Sequence, residues 1–186
     1  MTTFAIRGTT LLALSAVTLA ACSAAPEENT ETQALVNAGD TLVAALTANE
    51  DLSTLSEALE QAQLTDLFDG PGSYTVIAPN DAAFEALGEA GQALLTEEQR
   101  PVLIGLLRDH ILIGHVTPAD IRAAAEAGDG SVSMASVGQG EITFTVDGDT
   151  LVARNASGAE ARIVGDAIEA ENGAALIVDA VLAPVS

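Results

Sequence analysis

The stretch YTVIAPNDAAFEAL, Tyr74 to Leu87, decides how the rest of the chain is read. Tyr74, Val76 and Ala78 alternate with Thr75 and Ile77, and that period-two pattern predicts a strand. Pro79, Asn80 and Asp81 interrupt it, after which Phe84 and Leu87 fall at helical spacing. Asn80 stands where a helix N-cap is needed, because its side-chain oxygen can accept a free N–H of the first turn. A strand running through a sharp turn into a helix is also how many enzymes present a nucleophile or cradle a phosphate. Here the junction has no nucleophile of the usual type, and it has neither the glycines nor the lysine of a phosphate loop.

Outward from that junction, the N-terminal side reads as helix. Asp40 to Glu50 carries Leu42, Val43 and Leu46, and Asp51 to Phe68 places Leu52, Leu55, Leu59 and Ala62 at helical spacing until DGPG, Asp69 to Gly72, stops it. Thr96 to Gln99, TEEQ, fits a capping box ahead of Pro101. Leu103, Leu106, Leu107 and His110 then share one helix face, so His110 is expected to point inward. After Ile121 the period shortens. Ser131–Val137, Glu141–Val146, Thr150–Arg154, Ala161–Ala170 and Ala175–Ala183 read as strands, with Asp147-Gly148 as a strong hairpin signal. Helices first and strands later predict an α+β fold with an antiparallel sheet.

Residues 1–21 have the layout of an export signal, with Arg7 ahead of an apolar run from Leu11 to Ala21. The run is short for a membrane-spanning helix, which needs roughly 20 apolar residues. LAAC, Leu19 to Cys22, is similar to the bacterial lipobox, and the resemblance implies that Cys22 is lipidated and becomes the membrane anchor. An ordinary secretory signal with a chance cysteine is the competing expectation. Ser23 in place of aspartate implies, by similarity to Gram-negative lipoproteins, the outer membrane, at its periplasmic or surface face. Residues 22–38 then form the lipidated cysteine and a flexible acidic tether, and 39–186 a single domain. With Cys22 the only cysteine, no disulfide can close within the chain. A formal net charge of −21, with six Arg and no Lys, excludes nucleic acid as a partner, because such binding needs basic patches.

Three blocks together carry a family resemblance: YTVIAPNDAAFEAL; LLRDHILIGHV, Leu106 to Val116; and ENGAALIVDAVLAP, Glu171 to Pro184. In this order they resemble the signatures of the fasciclin domain. The resemblance implies a compact wedge in which a twisted, antiparallel, β-sandwich-like sheet is flanked by several helices. It also implies a secreted or surface-tethered module of cell adhesion or envelope interaction, and no enzyme. Two positions depart from the pattern. Asp109 stands where the family usually has tyrosine beside His110, and Leu176 where a histidine is frequent.

The expected site residues follow from both readings. Asn80, Asp81 and His110 are expected to form a structural clasp, with His110 hydrogen-bonded across the core to the polar junction; the competing role for His110 is ligand or base. Asp109 and His110 are the candidate interaction pair. No metal or cofactor is expected: His110 and His115 lack the i, i+4 spacing of a helical ligand pair, and Asp147 to Asp149 lacks the rest of a calcium loop. Asn155 to Ser157 matches a glycosylation pattern and is expected to be a loop. The expected partners are the membrane, through the anchor, and a protein or cell-surface partner, with self-association among the alternatives. The rival functions are an envelope enzyme or small-ligand carrier, marked by a pocket with converging polar groups, and a structural assembly protein of the periplasm.

Overall fold

The computed structural model describes residues 41–183, so Cys22, the signal segment and the tether lie outside the described residues. The N-terminal part is helical: α1 (Leu42–Thr47), α2 (Ser53–Gln61) and α3 (Thr65–Phe68) precede β1 (Tyr74–Pro79), and α4 (Asp81–Ala86), α5 (Glu89–Leu94) and α6 (Arg100–Asp109) follow it. Next come β2 (Ile111–Ile113), α7 (Pro118–Ala127), β3 (Ser131–Ala135), β4 (Glu141–Asp147), β5 (Thr150–Asn155), β6 (Glu160–Arg162), β7 (Ile168–Ala170) and β8 (Gly173–Val178).

The strands make two four-stranded sheets, ordered β2-β1-β8-β7 and β3-β4-β5-β6. Burial sorts them into three layers. Val76, Ala78, Ile111 and Ala175 on one face of the first sheet pack with Leu46, Leu55, Leu59, Leu103 and Leu107 of the helices. Ile77, Leu112, Leu176 and Val178 on the other face pack with Ile142, Phe144, Leu151 and Ala153 of the second sheet. The α+β class and the sandwich flanked by helices are therefore as expected. Strand β1 is buried from Thr75 to Pro79, and its apolar character on both faces follows from lying between two cores.

Several local expectations change. Every pairing within the sheets is antiparallel except that of β1 with β8, which is parallel, Tyr74 opposite Gly173 through Pro79 opposite Val178. The long helix expected over Asp51–Phe68 is broken after Gln61. Gln63 takes φ 55°, its N–H reaching Glu60 O and the Leu64 N–H reaching Leu59 O, which turns the chain and drops Leu64 into the core. The strand expected over Ala161–Ala170 is two strands in different sheets, with Gly165 at φ 67° in the crossover between them. Thr96 makes no side-chain cap to the helix that follows; its hydroxyl donates to Ala93 O instead. The capping box sits at Thr117 and Asp120, opening the unforeseen helix α7. The hairpin at Asp147-Gly148 forms as expected, with Gly148 at φ 61°.

Candidate functional site

The Asn80-Asp81 junction is built by the end of β1. Asn80 holds extended backbone, its N–H donates to Val178 O at 3.1 Å, and its side-chain Oδ1 accepts from Ala83 N at 2.9 Å. It caps α4, as the sequence predicts. Asp81 does something else. Its carboxylate accepts from Ser53 Oγ at 2.6 Å and from Thr54 N at 2.8 Å, at the start of α2. The residue preceding α2, Leu52, offers no side-chain cap, so Asp81 supplies one from 27 residues downstream. Partial burial pushes the Asp81 pKa up, but the hydrogen bonds from Ser53 and Thr54 together outweigh it and hold the carboxyl below its ordinary value.

His110 is 1% exposed, at the C-cap of α6. Its Nδ1 lies 2.9 Å from Leu106 O, and its Nε2 accepts from Leu182 N at 3.0 Å. A carbonyl can only accept and a backbone N–H can only donate, so the proton is on Nδ1 and the ring is neutral. The expected bond from His110 to Asn80 and Asp81 is not made. One ring nitrogen is taken by its own helix turn, the other by the C-terminal segment, and both junction side chains are engaged at helix N-termini. His110 meets β1 through its backbone instead, where its carbonyl accepts from Ile77 N at 2.8 Å. Asn155 grips Leu182 from the other side: its Nδ2 donates to Leu182 O at 3.0 Å. The backbone of Leu182 is thus tied to α6 by His110 and to β5 by Asn155. Desolvation depresses the His110 pKa to about 4, against a smaller upward pull from the Leu106 carbonyl.

Asp109 is half-buried against the β3–β4 turn. Gly138 N donates to Arg108 O, Val137 N donates to Ile111 O, and Ser136 Oγ lies 3.4 Å from Asp109 Oδ1. A Cβ at Gly138 would fall 2.1 Å from that Oδ1 and 2.9 Å from the Asp109 backbone nitrogen, so the turn requires glycine there. Burial raises the Asp109 pKa, and the Ser136 hydroxyl only partly offsets it. Asp109 and His110 are adjacent in the chain but face different surroundings and share no hydrogen bond.

The structure adds ties that sequence reasoning missed. Asn172 accepts from Leu42 N through Oδ1 and donates to Phe68 O through Nδ2, each at 2.7 Å. Thr75, fully buried, donates to Gly114 O and accepts from Val116 N, both at 2.8 Å. Asn155 Oδ1 accepts from Ala159 N and Ser157 Oγ, so the glycosylation pattern is a hydrogen-bonded turn whose amide already has partners. The available signal was, for Thr75, a polar residue inside an apolar run and, for Asn172, an asparagine followed by glycine at the mouth of a strand.

The chemical capacity of these groups is small. A recess of about 140 Å³ lies beside β6, lined by Val152, Glu160, Ala161, Arg162, Asp179 and Ala180. That is well under the roughly 300 Å³ at which small-molecule sites begin. His110 has both ring nitrogens bonded and no route to solvent. Among the described residues, no group of three or more His, Cys, Asp or Glu side chains is placed to hold a metal ion, and no helix is long and apolar enough to cross a membrane. The outer face of the second sheet carries Ser133, Thr143, Arg154 and Glu160 in one cross-strand row, with Ser133 Oγ 2.8 Å from Thr143 Oγ1 and Arg154 paired to Glu160.

Comparison with known proteins adds three findings. The model of the family described as "Fasciclin domain" matches residues 50–184. Among relatives, the Synechocystis protein sll1483 is 28% identical over 93% of this chain and 89% of its own length. Immunogenic protein MPB70 of Mycobacterium bovis is 27% identical over 78% of this chain and 69% of its own. Cell surface glycolipoprotein MPB83 of the same species is 28% identical over 79% and 62%. Among solved structures, a FAS1 domain pair from the insect cell adhesion molecule fasciclin I superposes with a TM-score of 0.62 at 18% identity, covering 72% of this chain and 45% of that one, which establishes a shared fold.

Proposed function

The chain belongs to the fasciclin-domain family, and on that premise we propose that it is a non-enzymatic binding module of the cell envelope, mediating adhesion or envelope protein contacts. In this reading lipidated Cys22 holds the domain at the outer membrane through the acidic tether. One observation carries the binding role over the enzymatic one: Asn80, Asp81, His110 and Asn172, four polar residues of the three signature blocks, are all taken up in hydrogen bonds that hold the domain together. They brace helices and strands, and the recess beside β6 brings none of them together. The relative named as a cell surface glycolipoprotein and the fold shared with an insect adhesion molecule support a place at the cell surface.

The anchor and the binding role are tested apart. Cys22→Ala is expected to release the protein from membranes on carbonate washing, and retention would refute the anchor. Deleting the domain is expected to reduce surface attachment and cell aggregation. Unchanged attachment would refute the adhesive role.

A further inference from the structure

Asn172 ends the turn between β7 and β8 and Gly173 opens β8, and the packing demands both residues. Gly173 is buried, and a Cβ there would fall 2.1 Å from Tyr74 O and 3.1 Å from a Leu42 methyl carbon. No side chain fits. Asn172 must both accept from Leu42 N, at the start of α1, and donate to Phe68 O, at the end of α3; one short side chain does both only if it is an amide. These two requirements place together an asparagine and a following glycine, the pair in which nothing hinders attack of the next backbone nitrogen on the side-chain carbonyl.

We propose that Asn172-Gly173 is a latent modification site, kept closed by the packing of α1 and α3, which deamidates once those helices lift away from β8. The Gly173 backbone nitrogen loses its proton and bonds to Asn172 Cγ. The Cγ–Nδ2 bond breaks, and ammonia leaves with that proton. Water then opens the cyclic imide at either carbonyl, leaving aspartate or isoaspartate at position 172. Water is the only co-reactant and nothing is oxidised or reduced.

In the folded chain each partner of the reaction is held away from it. Leu42 N and Phe68 O fix the Asn172 amide at 2.7 Å each, and Gly173 is in register with Tyr74 on one side and Ala170 on the other. Cγ therefore cannot swing onto the Gly173 nitrogen until the two bonds to α1 and α3 are broken. The product is self-locking. Aspartate has acceptors only, so it sets an oxygen against Phe68 O where the amide had donated, and the helices cannot be tied back as before. A domain whose helical layer has once opened then carries a permanent mark. The other described asparagines, Asn49, Asn80 and Asn155, precede residues that bear side chains; Asp69-Gly70, Asp129-Gly130 and Asp147-Gly148 can reach the same imide but lose water, so the loss of ammonia is what marks position 172.

The test needs no variant. The full chain is incubated in neutral buffer, with and without enough urea to unfold it, and mapped by peptide mass spectrometry with isoaspartate detection. Deamidation at Asn172 is expected at least about tenfold slower in the native sample, since only the locally opened fraction reacts. Equal rates in the two samples, or reaction at another asparagine first, would overturn the proposal. Two variants extend it. Leu42→Ala, which loosens α1 on β8, should speed the native reaction, and Asn172→Asp should reproduce the lower melting temperature of the aged protein. An unchanged rate in the first or a wild-type melt in the second would equally overturn it.

Discussion

Neutral, buried His110 makes the fold sensitive to acid, and the effect has a calculable sign. In the fold its pKa lies near 4, whereas an unfolded chain begins to protonate the same ring below about pH 6.5. Between those values the unfolded state binds the extra proton, so stability falls as pH drops through the window. The contribution is fully present above about pH 6.5 and amounts to about 3 kcal/mol across the whole interval. Protonation would also turn the acceptor at Nε2 into a donor facing the Leu182 N–H. His110→Ala at neutral pH leaves that N–H unpaired in the core and opens a cavity, together about 2–4 kcal/mol. For a domain of this size that is a fall of roughly 6–12 °C in Tm. His110→Gln keeps an acceptor but does not titrate, so it should lose less stability and flatten the acid dependence. The assay is thermal unfolding by circular dichroism between about pH 7.5 and about pH 4.5 for all three proteins. The reasoning is refuted if His110→Gln keeps the wild-type slope with pH. A His110→Ala protein that melts like wild type and loses only attachment would equally refute it, and would make the histidine a binding residue.

Three further outcomes follow from the same geometry. Asp81→Ala removes the cap on α2 and should cost about 1 kcal/mol at neutral pH by urea unfolding. Because the folded pKa of Asp81 is depressed, the gap from wild type should close as pH is taken well below 3.8. Asp109 is the opposite case: its pKa is raised, so its contribution is present below 3.8 and lost as pH rises through the folded value. Asp109→Asn should therefore raise Tm at neutral pH. Two copies carrying −21 each repel, so any self-association should strengthen with added salt or a divalent cation in sedimentation velocity. Dimers that form at low salt and dissociate on adding salt would contradict that.

The strand-turn-helix at Tyr74 to Leu87 was legible because each step had its own local signal: a period of two, a capping asparagine, then a period of 3.6. His110 was legible as buried because its spacing from Leu103, Leu106 and Leu107 fixed its helix face. Its partners were not, since Leu182 lies 72 residues away and offers only a backbone N–H, which no side-chain pattern reports. The same holds for Asp81. Its place after Asn80 reads as first-turn charge on α4, whereas its hydrogen bonds go to a helix formed 27 residues earlier. The break after Gln61 escaped notice because a glutamine, instead of glycine or asparagine, takes the left-handed turn. Strand β6 and strand β7 read as one because Ile163 and Val164 before Gly165-Asp166 and Ile168 after it are β-like residues on both sides of the break, and the packing of two sheets separates them.

Crosslinking or proximity labelling on intact cells, with the full chain as bait, tests the central claim most directly. A binding module at the cell surface should yield a protein or surface partner that is accessible from outside and is lost when the domain is deleted. Recovery of periplasmic assembly components alone, with none of the label outside the cell, would contradict it.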